Sequence, residues 1–161
     1  MYNVVAVNNL SSPYRRFVAY SIDYIVMIFL TTIVTTFSNG VIALNFILLV
    51  FIHAVYFSYL TASNWQATLG QRLMKIYVIT LDGKRLSLTR SFDRYIIQWI
   101  IPDIMLIILH LMQNEVSIFG LFLVVFLYLV WISGYFMMFF NTKRQALHDY
   151  LFKTLVVNGY L

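Results

Sequence analysis

The stretch FVAYSIDYIVMIFLTTIVTTF, Phe17 to about Phe37, carries one charge, Asp23. A helix needs about 20 predominantly apolar residues to cross a bilayer, and this segment supplies them. Three further segments do the same. Val41 to Leu60 holds His53 and no formal charge. Tyr95 to Met112 is shorter and holds Pro102, Asp103 and His110. Val116 to Phe140 has only Tyr128 and Tyr135 as ionisable groups.

The rest of the composition agrees. Of 161 residues, 61% are hydrophobic and only 11% charged, where a soluble domain is about a quarter charged. Mean hydropathy is +0.82. A soluble globule of this length has too little interior for so much apolar side chain, and disorder requires low hydrophobicity. An integral membrane protein remains. Cysteine is absent, which excludes disulfides, thiolate metal sites and cysteine nucleophiles. The opening MYNVVAVNNLSSPYRR lacks the apolar run and cleavage site of a secretory signal, so the first span is expected to stay as an anchor.

The cations decide how many times the chain crosses. Cytoplasmic loops carry the excess of lysine and arginine. Four spans place the N-terminus, the 61–94 loop and the C-terminus on one side. Those regions hold Arg15 and Arg16; Arg72, Lys75, Lys84, Arg85, Arg90 and Arg94; and Lys143, Arg144 and Lys153, which are all 11 cations. The opposite turns, Ser38-Asn39-Gly40 and Gln113-Asn114-Glu115, hold none. Three spans would split the basic clusters around the third segment. The expected fold is therefore an all-α integral membrane bundle of four transmembrane helices, one domain over 1–161, in the inner membrane with both termini cytoplasmic.

The long loop has structure of its own. Ser63-Asn64-Trp65 reads as an interfacial corner. Met74 to Thr80 is β-branched and aromatic, Asp82-Gly83 suits a type I′ turn, and Lys84 to Arg90 alternates polar and apolar. Together they predict a cytoplasmic β-hairpin. Leu147, Leu151 and Leu155 repeat at four-residue spacing and predict an amphipathic C-terminal segment. No internal repeat stands out.

Three stretches resemble the RDD family of small polytopic membrane proteins, named for one arginine and two aspartates. They are Arg16 to Asp23, with an arginine seven residues before the aspartate of an Ile-Asp pair; Thr68-Leu69-Gly70-Gln71-Arg72-Leu73 with Val78 and Asp82-Gly83; and Arg144-Gln145-Ala146-Leu147-His148-Asp149 with Thr154 and Val156-Val157. Lys75 and Phe152-Lys153 stand where small residues are usual. The resemblance covers nearly the whole chain and implies a membrane protein, with transport, including ion–proton exchange, as the suggested activity.

Several side chains can carry that chemistry. Arg16 and Asp23 lie close to two helical turns apart, so they share a face. Arg16 is placed to snorkel at the cytoplasmic edge, fixing its helix and tuning Asp23. Asp23, His53 and Asp103 sit about 10–12 Å in from the inner ends of three different spans, at one depth, where they can form an ion or proton path. Pro102 frees the carbonyl of Gln98, and freed carbonyls beside carboxylates bind cations in transporters. The plainer reading is that these groups pin helices together, as Asp149 does if it pairs with Arg72 or Arg94. No Walker loop, HExxH, GxSxG or CxxC occurs, so no enzyme, cofactor or metal is expected. The basic face fits topology and anionic lipid without nucleic acid. The partners expected are the bilayer, anionic lipid at the inner face, and a second copy or another membrane protein. The alternative function is a non-transporting adaptor that binds a partner through the cytoplasmic loop.

Overall fold

The computed structural model describes residues 9–37, 42–112 and 117–159. The two expected outer turns, 38–40 and 113–115, and the His110 side chain lie outside them. Four long helices dominate: α1 (Pro13–Phe37), α2 (Ile42–Ala62), α4 (Leu88–Leu111) and α5 (Ile118–Phe140). Between and after them come two one-turn helices, α3 (Leu69–Leu73) and α6 (Leu147–Leu151), and two strands, β1 (Ile76–Thr80) and β2 (Thr154–Asn158).

Among the described residues two helices, Pro13–Thr36 and Ile118–Phe140, are long and apolar enough to cross a membrane. Their outward faces are what lipid requires: Phe17, Ile25 and Phe29 on α1 and Phe119, Phe122, Phe126 and Leu129 on α5 are all more than half exposed. In water such a surface would aggregate.

The expected hairpin does not form. β1 pairs instead with β2, antiparallel, with Val78 opposite Val156 and Ile79 opposite Leu155. The chain does turn at Gly83, whose φ is 77°, and Thr80 N–H donates to the Lys84 carbonyl at 2.9 Å. Ser87 then stops the return strand. Its carbonyl accepts from Ser91 N–H at 3.0 Å and its Oγ accepts from Arg90 N–H at 3.3 Å, which is an N-cap. The third helix therefore begins at Leu88, a full two turns before Tyr95. The C-terminal segment is likewise corrected: Leu147 and Leu151 are helical, but Leu155 is in β2. β2 gains a second neighbour from residues 9–11, with Leu10 bridging Val157 and Ser11 N–H donating to the Val156 carbonyl at 2.9 Å.

Because strand side chains alternate, both faces of the small sheet are covered. Ile76, Val78 and Val156 pack on Ala19 of α1 and on Leu86. Ile79, Leu155 and Val157 pack with Leu10, Tyr77 and Leu81. The strands, α3, α6 and the 63–87 loop form one polar cap that gathers the cations: Arg15 reaches Asn158, Arg85 reaches Asn64 and Arg144 reaches the Leu10 carbonyl.

The structure also contains a repeat that does not stand out in the sequence. TLGQRLMKIYVIT (68–80) and ALHDYLFKTLVVN (146–158) have the same form. Each begins with an extended N-cap, Thr68 or Ala146. Each continues as a five-residue helix whose third residue, Gln71 or Asp149, accepts a hydrogen bond from the N-cap N–H. A left-handed lysine follows, Lys75 (φ 57°) or Lys153 (φ 53°), and then a five-residue strand. Val78 and Val156 are equivalent residues and also face each other, so a local two-fold axis passes between them. The relation continues into the long helices: RFVAYSIDYI (16–25) aligns with SFDRYIIQWI (91–100), sharing Phe17/Phe92, Tyr20/Tyr95, Ile22/Ile97 and Ile25/Ile100. The chain is two successive halves, α1-α2-α3-β1 and α4-α5-α6-β2.

Candidate functional site

The polar side chains of the long helices fall into three groups. The first surrounds Asp149, at the third position of α6, where its carboxylate accepts from Ala146 N–H at 3.3 Å. Arg94 of α4 donates to it through Nη2 (2.8 Å) and Nε (3.0 Å). Arg16 of α1 donates through Nη1 (2.8 Å), and Thr154 through Oγ1 (3.1 Å). Asp149 is fully buried. Burial alone would push its pKa up, but Arg94, then His148 and Arg16, outweigh that and hold it below the usual carboxylate range. His148, with Nε2 3.6 Å from Asp149, is pushed down to about 3 by burial, against the pull of Asp149. At neutral pH it is uncharged and stacks edge-on against Tyr135. The expected Arg94–Asp149 pair is present. Arg72 instead lies over the Trp65 ring, 4.1 Å from its centroid, and Arg16 is engaged by Asp149 rather than by Asp23.

The second group surrounds Asp23. Its carboxylate accepts from Thr68 Oγ1 (2.6 Å), Tyr56 Oη (2.7 Å) and Gly70 N–H (2.8 Å). This draws the start of α3 onto α1 so closely that a Cβ on Gly70 would overlap the Ala19 carbonyl oxygen and the Asp23 carboxylate. Asp23 is thereby a clamp between α1, α2 and the cap. Thr68-x-x-Gln71 is a capping-box pattern, a signal that marks the start of α3 though not its docking on Asp23. Gly70 lies in the stretch that resembles the family, and nothing in the sequence marks Tyr56.

The third group lies between α2 and α4. His53 Nδ1 is 3.9 Å from Asp103 Oδ1, with the two side chains 11% and 17% exposed. Neither imidazole nitrogen has a hydrogen-bond partner. The ring sits against Trp99 and Phe57, and Tyr95 also interacts with Asp103. Two of the three expected path residues therefore meet, while Asp23 is held elsewhere. The Gln98 carbonyl freed by Pro102 is taken by Trp131 Nε1 at 2.9 Å, and the Gln98 side chain donates to Tyr135 Oη at 3.0 Å. Pro102 thus ties α4 to α5. Among the described residues no group of three or more His, Asp or Glu side chains is placed to hold a metal ion.

A protein of Bacillus subtilis (strain 168), described as uncharacterized protein YxaI, is 25% identical over 147 residues, covering 91% of this chain and 71% of its own length. No solved structure matches. The sequence profile of the RDD family matches residues 10–153, a range that takes in Arg16, Asp23, His53, Asp103 and Asp149 and stops just before β2. On that match the chain belongs to the RDD family, whose members are small membrane proteins.

Proposed function

We propose that this protein crosses the inner membrane four times, keeps its cap and both termini in the cytoplasm, and passes a proton or small ion along the seam between α2 and α4. α2 and α4 have 21 and 24 residues, long enough at 1.5 Å per residue to span about 30 Å of hydrocarbon. With four crossings every cation lies on the side of the cap, as the positive-inside rule requires.

The observation that carries the transport reading is the His53–Asp103 pair. A carboxyl group inside a transmembrane segment is expensive, and such groups mark proton and ion paths. Asp23 and Asp149 have structural explanations in their full sets of donors. The His53–Asp103 pair is less fully satisfied: Asp103 has Tyr95 as a hydrogen-bond partner, but it faces an imidazole whose two nitrogens have none. Asp103 is the group that binds and releases the ion, and His53 its proton partner. Arg16, Asp23, Arg94 and Asp149 hold the helices in place. We assign no enzymatic activity and no cofactor, and anionic lipid at the cap rim and a second copy remain the partners proposed.

Proton or sodium flux into proteoliposomes tests this, with wild type beside Asp103→Asn and His53→Gln. Wild type is expected to exceed empty liposomes and Asp103→Asn to fall to that background. A wild type no leakier than empty liposomes, or an Asp103→Asn variant with full flux, refutes it. The competing adaptor reading draws on the exposed turn Asp82–Arg85. It predicts that changing this turn abolishes function while both seam variants remain functional.

A further inference from the structure

The two halves of the chain make each inter-half contact available in two versions, and the polar groups occupy only one of them. α2 packs along α4 more extensively than any other pair of elements among the described residues; the counterpart contact, α1 against α5, is slighter, with Tyr20 meeting Trp131 and Tyr135. Most of the buried polar side-chain atoms with no partner lie on these two helices: among the described residues, His53 Nδ1 and Nε2 and Ser58 Oγ belong to α2, and Trp99 Nε1 and Ser91 Oγ to α4, while Arg16 Nε and Nη2 on α1 and Gln66 Oε1 in the cap are the others. On α4, Ser91, Tyr95, Trp99 and Asp103 succeed one another every fourth residue, a stripe that runs from the cap to mid-helix. On α2, Ser58 lies between His53 and the cap.

The repeat shows that the scaffold does not need these groups. Aligning the halves puts Trp131 and Phe136 of α5 at the places of His53 and Ser58. Ile28 of α1 stands at the place of Asp103, and Tyr24 at that of Trp99. Ser91 corresponds to Arg16, which is committed to Asp149. The places of His53, Ser58 and Asp103 are thus filled in the other version by Trp131, whose Nε1 is bonded to the Gln98 carbonyl, and by the apolar Phe136 and Ile28, while Arg16, at the place of Ser91, keeps Nε and Nη2 unpartnered. In hydrocarbon an unsatisfied polar group costs several kcal/mol, and water bridging two or three such atoms is the ordinary way of removing that cost.

We propose that the α2–α4 seam is a hydrated access path, open to the cap side, that leads water and a hydrated small cation or proton past Ser91 and Ser58 to His53 and Asp103. This rests on the transport reading for its purpose, but the path is a physical property measurable without flux. Because the chain has no cysteine, single cysteines need no altered background. Ser91→Cys and Ser58→Cys are near-isosteric. Val55→Cys, on an exposed apolar face of α2, is the lipid control, and Lys84→Cys the aqueous control. Each is treated, in vesicles with the cap accessible, with a positively charged, membrane-impermeant methanethiosulfonate.

The expected result is modification of Ser91→Cys and Ser58→Cys many-fold faster than Val55→Cys and slower than Lys84→Cys, with Ser91→Cys the faster of the two. If both serine-site variants are as inert as Val55→Cys while Lys84→Cys reacts, the path is overturned, whether or not wild type conducts. Labelling of both sites in a protein without flux upholds the path and refutes the transport reading alone.

Discussion

Asp149 holds two guanidinium groups from different halves of the chain, and its removal leaves both uncompensated. Breaking a buried ion pair by removing one partner costs about 3–5 kcal/mol, so Asp149→Asn should lower the unfolding temperature in detergent more than any single change at an exposed cap residue. An unchanged unfolding curve would show that Arg16 and Arg94 find other acceptors. Glycine provides a paired test. Gly70→Ala drives a methyl group into the Ala19 backbone and the Asp23 carboxylate and should cost about 1–3 kcal/mol as overpacking. At Gly134 the added carbon would meet Leu147 Cβ at 3.4 Å, an ordinary contact, and alanine is the better helix former by about 1 kcal/mol. Gly134→Ala should therefore be neutral or stabilising in the same melt. Of these residues, Asp149 was legible in the sequence as an ion-pair partner only to the extent of Arg72 or Arg94; the structure takes Arg94 and adds Arg16, a choice that depends on which helices the cap brings together. Gly70 was not, since a close backbone approach leaves no trace in composition or period.

The elements were legible where hydrophobicity alone determines them and obscure where long-range pairing does. The four apolar runs became the four long helices, though α4 begins earlier than its apolar run because Ser87 caps it. The Met74–Thr80 run reads as a strand and contains β1, but the nearest alternating segment, Lys84 to Arg90, is not its partner. The true partner lies at the other end of the chain, and only the two-fold relation between the α3-β1 and α6-β2 units identifies it. That relation places Lys75 and Lys153 at equivalent junctions. Both lysines adopt positive φ between helix and strand, a conformation that costs a residue with a Cβ roughly 1–2 kcal/mol, whereas glycine adopts it freely. Lys75→Gly and Lys153→Gly should each be neutral or stabilise by up to about 1 kcal/mol once the extra unfolded-state entropy of glycine is subtracted. Lys75→Val should destabilise. A stability order in which valine exceeds glycine at position 75 would show that side-chain contacts, not backbone strain, govern that junction.

At the scale of the whole molecule, the cap joins the halves through a cluster whose charge state depends on pH. Arg16 and Arg94 come from the first helix of each half, and Asp149 and His148 from α6, with Tyr135 of α5 against the imidazole. His148 is neutral in the fold, its pKa pushed down to about 3 by burial, while in an unfolded chain it titrates near 6.5. Between those values the unfolded state binds the additional proton, so acidification favours unfolding, with a slope approaching about 1.4 kcal/mol per pH unit for one proton. Asp149 acts in the same direction at lower pH. Its folded pKa is depressed by Arg94 and its other partners in spite of burial, so its contribution is complete above the ordinary carboxylate value and disappears as pH falls through the folded one. The unfolding temperature in detergent should thus decline from about pH 6.5 downward through His148 and more steeply below about pH 4 as Asp149 joins. His148→Phe keeps an aromatic ring against Tyr135 and removes the titration, so its decline between pH 6.5 and 4 should be shallower than that of wild type. Parallel curves for the two proteins would mean that the imidazole is already protonated, or already exposed, in the folded cap.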